Sequence, residues 1–129
     1  MEDKLKLSLP RDTGYVTIAR LTASSIAAKV GFDYEVIEDI KLSISEACNF
    51  ALFSDRDDNY DLEYRIGDDR VEVSLLVDSK MVHPAETTDF TVDERGMGLF
   101  IIKTLMDEVE ITHFDESRSV LTMRKRLTE

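Results

Sequence analysis

Between residues 62 and 77 the chain alternates apolar and polar side chains in two runs: Leu62, Tyr64 and Ile66, then Val71, Val73, Leu75 and Val77. Gly67-Asp68-Asp69 separates them. A period of two puts these apolar residues on one face of a strand pair, and the Gly-Asp turn makes that pair an antiparallel hairpin. A hairpin with one apolar face does not stand alone in water. The rest of the chain must extend the sheet and cover that face, which restricts the fold to a layered one.

The covering elements can be read on either side of the hairpin. Leu5 to Leu9 alternates and predicts a strand that Pro10 ends. Asp12 or Thr13 is placed to cap a helix from about Gly14 to Val30, where Ala19, Ala23, Ile26, Ala27 and Val30 recur at helical spacing. Gly31 fits its C-cap. A second helix starts at Asp33 or Tyr34 and runs to about Phe53, with Ile37, Ile40, Ile44, Ala47, Cys48 and Ala51 as its core stripe. Asp78 to Arg95 has little periodicity and predicts a loop. Gly96 to Met106 predicts a third helix, and Val109–His113 and Val120–Arg124 the last strands, with Asp115-Glu116-Ser117 turning between them. The order β-α-α-β-β-loop-α-β-β predicts an α+β two-layer sandwich, a mostly antiparallel sheet with helices on one face. One domain, residues 1–129, is expected.

Sixteen Lys and Arg against 27 Asp and Glu leave a formal net charge of −11. That charge opposes a nucleic-acid backbone or an anionic membrane and suits a protein partner with a basic surface. No segment has the length needed to span a bilayer, and the first residues carry no apolar run of signal-peptide type, so the cytoplasm is expected. Cys48 is the only cysteine, so an intrachain disulfide and a thiolate metal cluster are both excluded. It sits on the apolar stripe and is expected in the core. His83 and His113 lack ligand-like spacing. No metal-binding side chain is assigned.

Chemistry is suggested by Glu94-Arg95-Gly96-Met97-Gly98-Leu99-Phe100-Ile101-Ile102-Lys103. Two glycines one residue apart open an apolar helical segment, where the backbone can approach a ligand and free N–H groups can face an anion. A second block is Ile37-Glu38-Asp39-Ile40-Lys41-Leu42-Ser43-Ile44-Ser45-Glu46-Ala47-Cys48, preceded by Arg20-Leu21-Thr22. With Thr104-Leu105-Met106-Asp107-Glu108-Val109 after the glycines, the chain resembles, over nearly its whole length, the anti-sigma factor serine kinases. These belong to the histidine kinase/Hsp90-like ATPase superfamily. The resemblance implies that fold, ATP or ADP with magnesium as ligand, a sigma factor and a small anti-anti-sigma protein as partners, and a candidate homodimer. It also implies phosphorylation of a serine on the anti-anti-sigma protein.

The same resemblance assigns roles. Glu46 matches the glutamate that orients or activates the attacking group. Asp78 matches the aspartate that accepts a hydrogen bond from the adenine amino group, and Gly96 and Gly98 match the C-terminal glycine box. Arg95 stands where another glycine is common and suits a phosphate. Tyr15 and Arg20 fall where the family meets partners, so the first helix is the candidate interaction surface.

Three departures stand beside these matches. The family has a magnesium-holding asparagine four residues after the glutamate; this chain has Phe50, which offers no oxygen ligand. Asn49 is one residue early, about 100° away around the helix. The glycine of the Asp-x-Gly box is Lys80, and the lid from Lys80 to Glu94, containing His83 and Phe90, is short and lacks a glycine-rich stretch. The expected function is therefore a regulatory protein resembling an anti-sigma factor, with nucleotide binding weakened or lost. The alternative is an active ATP-dependent serine/threonine protein kinase, with Asn49 or a lid side chain replacing the missing magnesium ligand.

Overall fold

A computed structural model of the chain describes residues 2–78 and 94–128, with the side chains of Glu94 and Arg95 not described. Among these residues, five strands form one sheet in the order β1-β2-β3-β5-β4: β1 Asp3–Leu9, β2 Tyr60–Ile66, β3 Arg70–Val77, β4 Glu108–His113 and β5 Ser119–Arg126. Every pairing is antiparallel. The helices are α1 Val16–Val30, α2 Tyr34–Leu52 and α3 Glu94–Leu105. This is the expected α+β architecture of the histidine kinase/Hsp90-like ATPase fold.

The register explains the core. Leu62 stands opposite Leu75, Tyr64 opposite Val73, Val73 opposite Met123, and Leu75 opposite Leu121. All of these are buried, and the helices cover them. The α2 stripe supplies Ile40, Ile44, Ala47, Cys48 and Ala51, each 0% exposed. Each large aliphatic side chain fully buried in this layer contributes about 1.5–3 kcal/mol. The Tyr64 hydroxyl donates to the Ala19 carbonyl at 3.0 Å, which gives the buried phenol a partner and fixes α1 over β2. Burial pushes the Cys48 thiol up to about 11, so this cysteine is a packing residue with little thiolate character.

Helix ends follow local chemistry. The Asp33 side chain accepts from Val36 N–H at 3.0 Å and starts α2. Gly31, with φ 110°, ends α1 in the left-handed region that a side chain would disfavour. Asp12 does not cap α1 directly. It accepts from Gly14 N–H at the head of a short 3₁₀ turn, Thr13–Tyr15, which leads into α1. The third helix begins at Glu94, two residues before the expected start. Gly96 and Gly98 therefore lie inside its first turns rather than in a bend ahead of it.

α2 packs against both α1 and α3. That central position brings the helix bearing Glu46 against the glycine-bearing helix. Among the described residues no helix is long and apolar enough to cross a membrane. His113 is exposed at the end of β4. Lys80, His83 and Phe90, with the rest of 79–93, lie outside the described residues.

Candidate functional site

The contact between α2 and α3 brings together residues more than 45 positions apart. A Cβ added to Gly98 would stand 2.8 Å from Glu46 Oε2, 3.6 Å from Phe50 Cε2 and 3.7 Å from Phe50 Cζ. Gly98 thus leaves open the space that the end of the Glu46 side chain occupies at the α2–α3 contact, and its φ is not positive. Glu46 is half-buried and Phe50 only 4% exposed. Spacing of four on α2 puts both against the same α3 residue, as helical geometry requires.

Asn49 takes a different position. It is exposed on α2, and Gly98 meets Glu46 and Phe50 rather than Asn49. A hard cation held beside Glu46 would need an oxygen ligand where the Phe50 ring stands. Among the described residues, Phe50 places a ring and no oxygen ligand beside Glu46.

Asp78 lies just beyond β3 and is mostly buried, its side chain 13% exposed. Its Oδ2 receives Ser54 Oγ at 3.1 Å and stands 2.9 Å from Nη2 of Arg11. The Arg56 Nη1 is 3.9 Å from Oδ1. A hydrogen bond from Arg56 holds the neighbouring Asp58 carboxyl down at about 2. Arg11 and Ser54 were not among the sequence-derived candidates. Arg11 follows a strand-ending proline and looks like an ordinary polar connection, so only its three-dimensional contacts reveal it.

Gly96 is exposed in the first turn of α3, while Gly98 is buried. The Arg95 side chain lies outside the described residues. Tyr15 at the N-cap of α1 and Ile18 and Leu21 on α1 are exposed, and on α3 so are Met97 and Phe100. Arg20 is half-buried on α1, and its Nε has no hydrogen-bond partner among the described residues.

Packing and function should separate at Gly98. Gly98→Ala is expected to leave the melting midpoint within about 3 °C, because the gain in helix propensity, about 1 kcal/mol, offsets the crowding. The atom crowded at 2.8 Å is the end of the flexible Glu46 side chain, which can swing away. On the kinase alternative, phosphate transfer is expected to fall about tenfold or more through that displacement. Transfer assays run beside thermal melts check this; loss of both would place the effect in packing.

Among the described residues, three helices cover one face of an antiparallel sheet, and the comparisons place this architecture in a class. The family described as histidine kinase-like ATPase domain matches residues 9–125. The serine-protein kinase RsbW of Listeria innocua serovar 6a is 37% identical over 100% of this chain and 90% of its own length. That of Listeria monocytogenes serotype 4a is 38% identical with the same coverage. That of Bacillus cereus is 33% identical over 92% of this chain and 82% of its own length. A solved structure of RsbU and RsbW domains from Mycobacterium tuberculosis shares the fold, with a TM-score of 0.71 at 20% identity. It aligns over 98% of this chain, which spans 33% of that longer one. The chain belongs to the RsbW family of anti-sigma-factor serine kinases within the histidine kinase-like ATPases.

Proposed function

We propose that this chain is an anti-sigma-type regulatory protein that binds a sigma factor or an anti-anti-sigma-like domain. The exposed apolar residues Tyr15, at the N-cap of α1, and Ile18 and Leu21, on α1, support a protein-binding face there. A net charge of −11 suits a basic partner surface and disfavours nucleic acid or an anionic membrane. A homodimer would use the same type of surface. On turnover, the comparisons favour an ATP-dependent serine kinase over a purely binding protein, since the curated relatives carry that activity in their names. The observation inside the molecule that supports this is Glu46 held against Gly98 at the α2–α3 contact. A carboxylate there can take the proton of an attacking serine hydroxyl. Asp78, Gly96, Gly98, Arg95 and Asn49 are the candidate contacts for ATP or ADP.

A second reading keeps the fold and the partners but has nucleotide binding weakened or lost. The buried Phe50 beside Glu46 and the engaged Asp78 favour it. Titration of the purified protein with ATP, with and without magnesium, separates the two. Magnesium-dependent binding followed by phosphate transfer to a partner serine supports the kinase. Weak or absent binding indifferent to magnesium, with a stoichiometric partner complex, supports the second reading. Failure to bind any sigma factor or anti-anti-sigma-like domain from its own cell would overturn both.

A further inference from the structure

The link between β1 and α1 carries Arg11, whose side chain turns inward and is only 9% exposed. Its guanidinium is held from four directions. The Nε donates to the Asp58 carbonyl at 2.9 Å, and Nη1 donates to the Ala51 carbonyl in the last turn of α2. The Nη2 lies 2.9 Å from Asp78 Oδ2 and 3.5 Å from Asp58 Oδ1. The cation also sits 5.7 Å from the centre of the Tyr60 ring. One side chain therefore joins the start of α1, the end of α2, the loop before β2 and the end of β3.

We propose that Arg11 sets the affinity for nucleotide by occupying the carboxylate that would read adenine. This rests on the reading of Asp78 as the adenine contact. An adenine amino group is a neutral donor. A guanidinium makes a charge-assisted bond to the same oxygen, roughly twice as strong. Ser54 Oγ adds a second donor on Oδ2. A purine must therefore displace a partner that the protein already supplies, in a place where water compensates little. The oxygens of Ala51 and Asp58 hold Arg11 in position independently of Asp78, so the guanidinium is pre-positioned as a competitor. Arg11 thus acts as an internal stand-in for the base, lowering nucleotide affinity without changing Asp78 itself.

The test is titration of the full chain with ADP, without magnesium, for the unsubstituted protein, Arg11→Met and Arg11→Met/Asp78→Asn. Methionine keeps most of the buried stem and removes the donors. Arg11→Met is expected to bind ADP about tenfold more tightly or better. The double variant is expected to lose that gain, and GDP is expected to show none. Equal or weaker ADP binding by Arg11→Met, undetectable binding in both proteins, or a gain that survives Asp78→Asn would overturn the inference. Arg11→Lys, which keeps the charge but not the fork of donors, gives the same comparison if methionine prevents folding, with a gain of about threefold expected. Partner capture, run separately, tests the regulatory reading. A protein that binds its partner but shows no Arg11 effect loses only this inference.

Discussion

Phe50→Asn is expected to lower stability by about 3 kcal/mol and, in the same protein, to make ATP binding depend on magnesium. The first effect comes from the core. Phe50 is 4% exposed and lies against Gly98, so its loss removes most of a buried ring, a change that commonly costs about 3–5 kcal/mol for truncation to alanine. Asparagine fills part of that volume, which keeps the figure at the low end. For a domain of this size the melting midpoint should fall by roughly 10 °C. The second effect comes from chemistry: the amide oxygen would enter the face of α2 that already carries Glu46, giving a hard cation an oxygen ligand where it now meets a ring. On the reading with weakened nucleotide binding, titration with ATP, with and without magnesium, should show about a tenfold difference in the variant and little in the unsubstituted protein; on the kinase reading both proteins show it. Strong magnesium dependence with Phe50 in place would show that the cation is held elsewhere.

On the kinase reading, Glu46→Gln is expected to reduce phosphate transfer to the partner serine by about 10²-fold or more while leaving the fold intact. Glutamine keeps the length of the side chain and its contact with Gly98, so the melting midpoint should move by no more than about 2 °C. What it removes is the carboxylate that can accept the serine proton. ATP affinity should change little, because the substitution alters a group used in transfer rather than one that holds the base. Transfer kinetics at saturating ATP, beside a melt and a titration, separate these effects. Transfer that continues unchanged would remove Glu46 from the proposed role. Glu46→Ala is a poorer probe, since it also empties the space in front of Gly98.

These two residues show how far local pattern reaches. Glu46 and Phe50 are four apart on a helix, so their shared face follows from the sequence once the helix is assigned. Strand and helix identity also followed from periodicity, because each element must bury one face: Leu62 to Val77 alternates, and Ile40 to Ala51 recurs at helical spacing. Boundaries were less secure. α3 extends two residues ahead of the glycine pair, since glycine permits a helical backbone as well as a bend, and packing against α2 decided between them.

Periodicity along the chain suffices for the layered α+β fold and the buried faces of α1, α2, β2 and β3, and the two motif blocks for the family resemblance. Tertiary structure alone decided the surroundings of the candidate site. Only the approach of α3 to α2 set Gly98 against Glu46 and Phe50. Only the pairing of β1, β2 and β3 brought Arg11, just past the edge strand β1, to Asp78 just past the end of β3. The physical reason is that hydrophobic burial repeats along the chain and leaves a period. An ion pair between residues 67 positions apart leaves none, because it depends on where two unrelated chain segments meet.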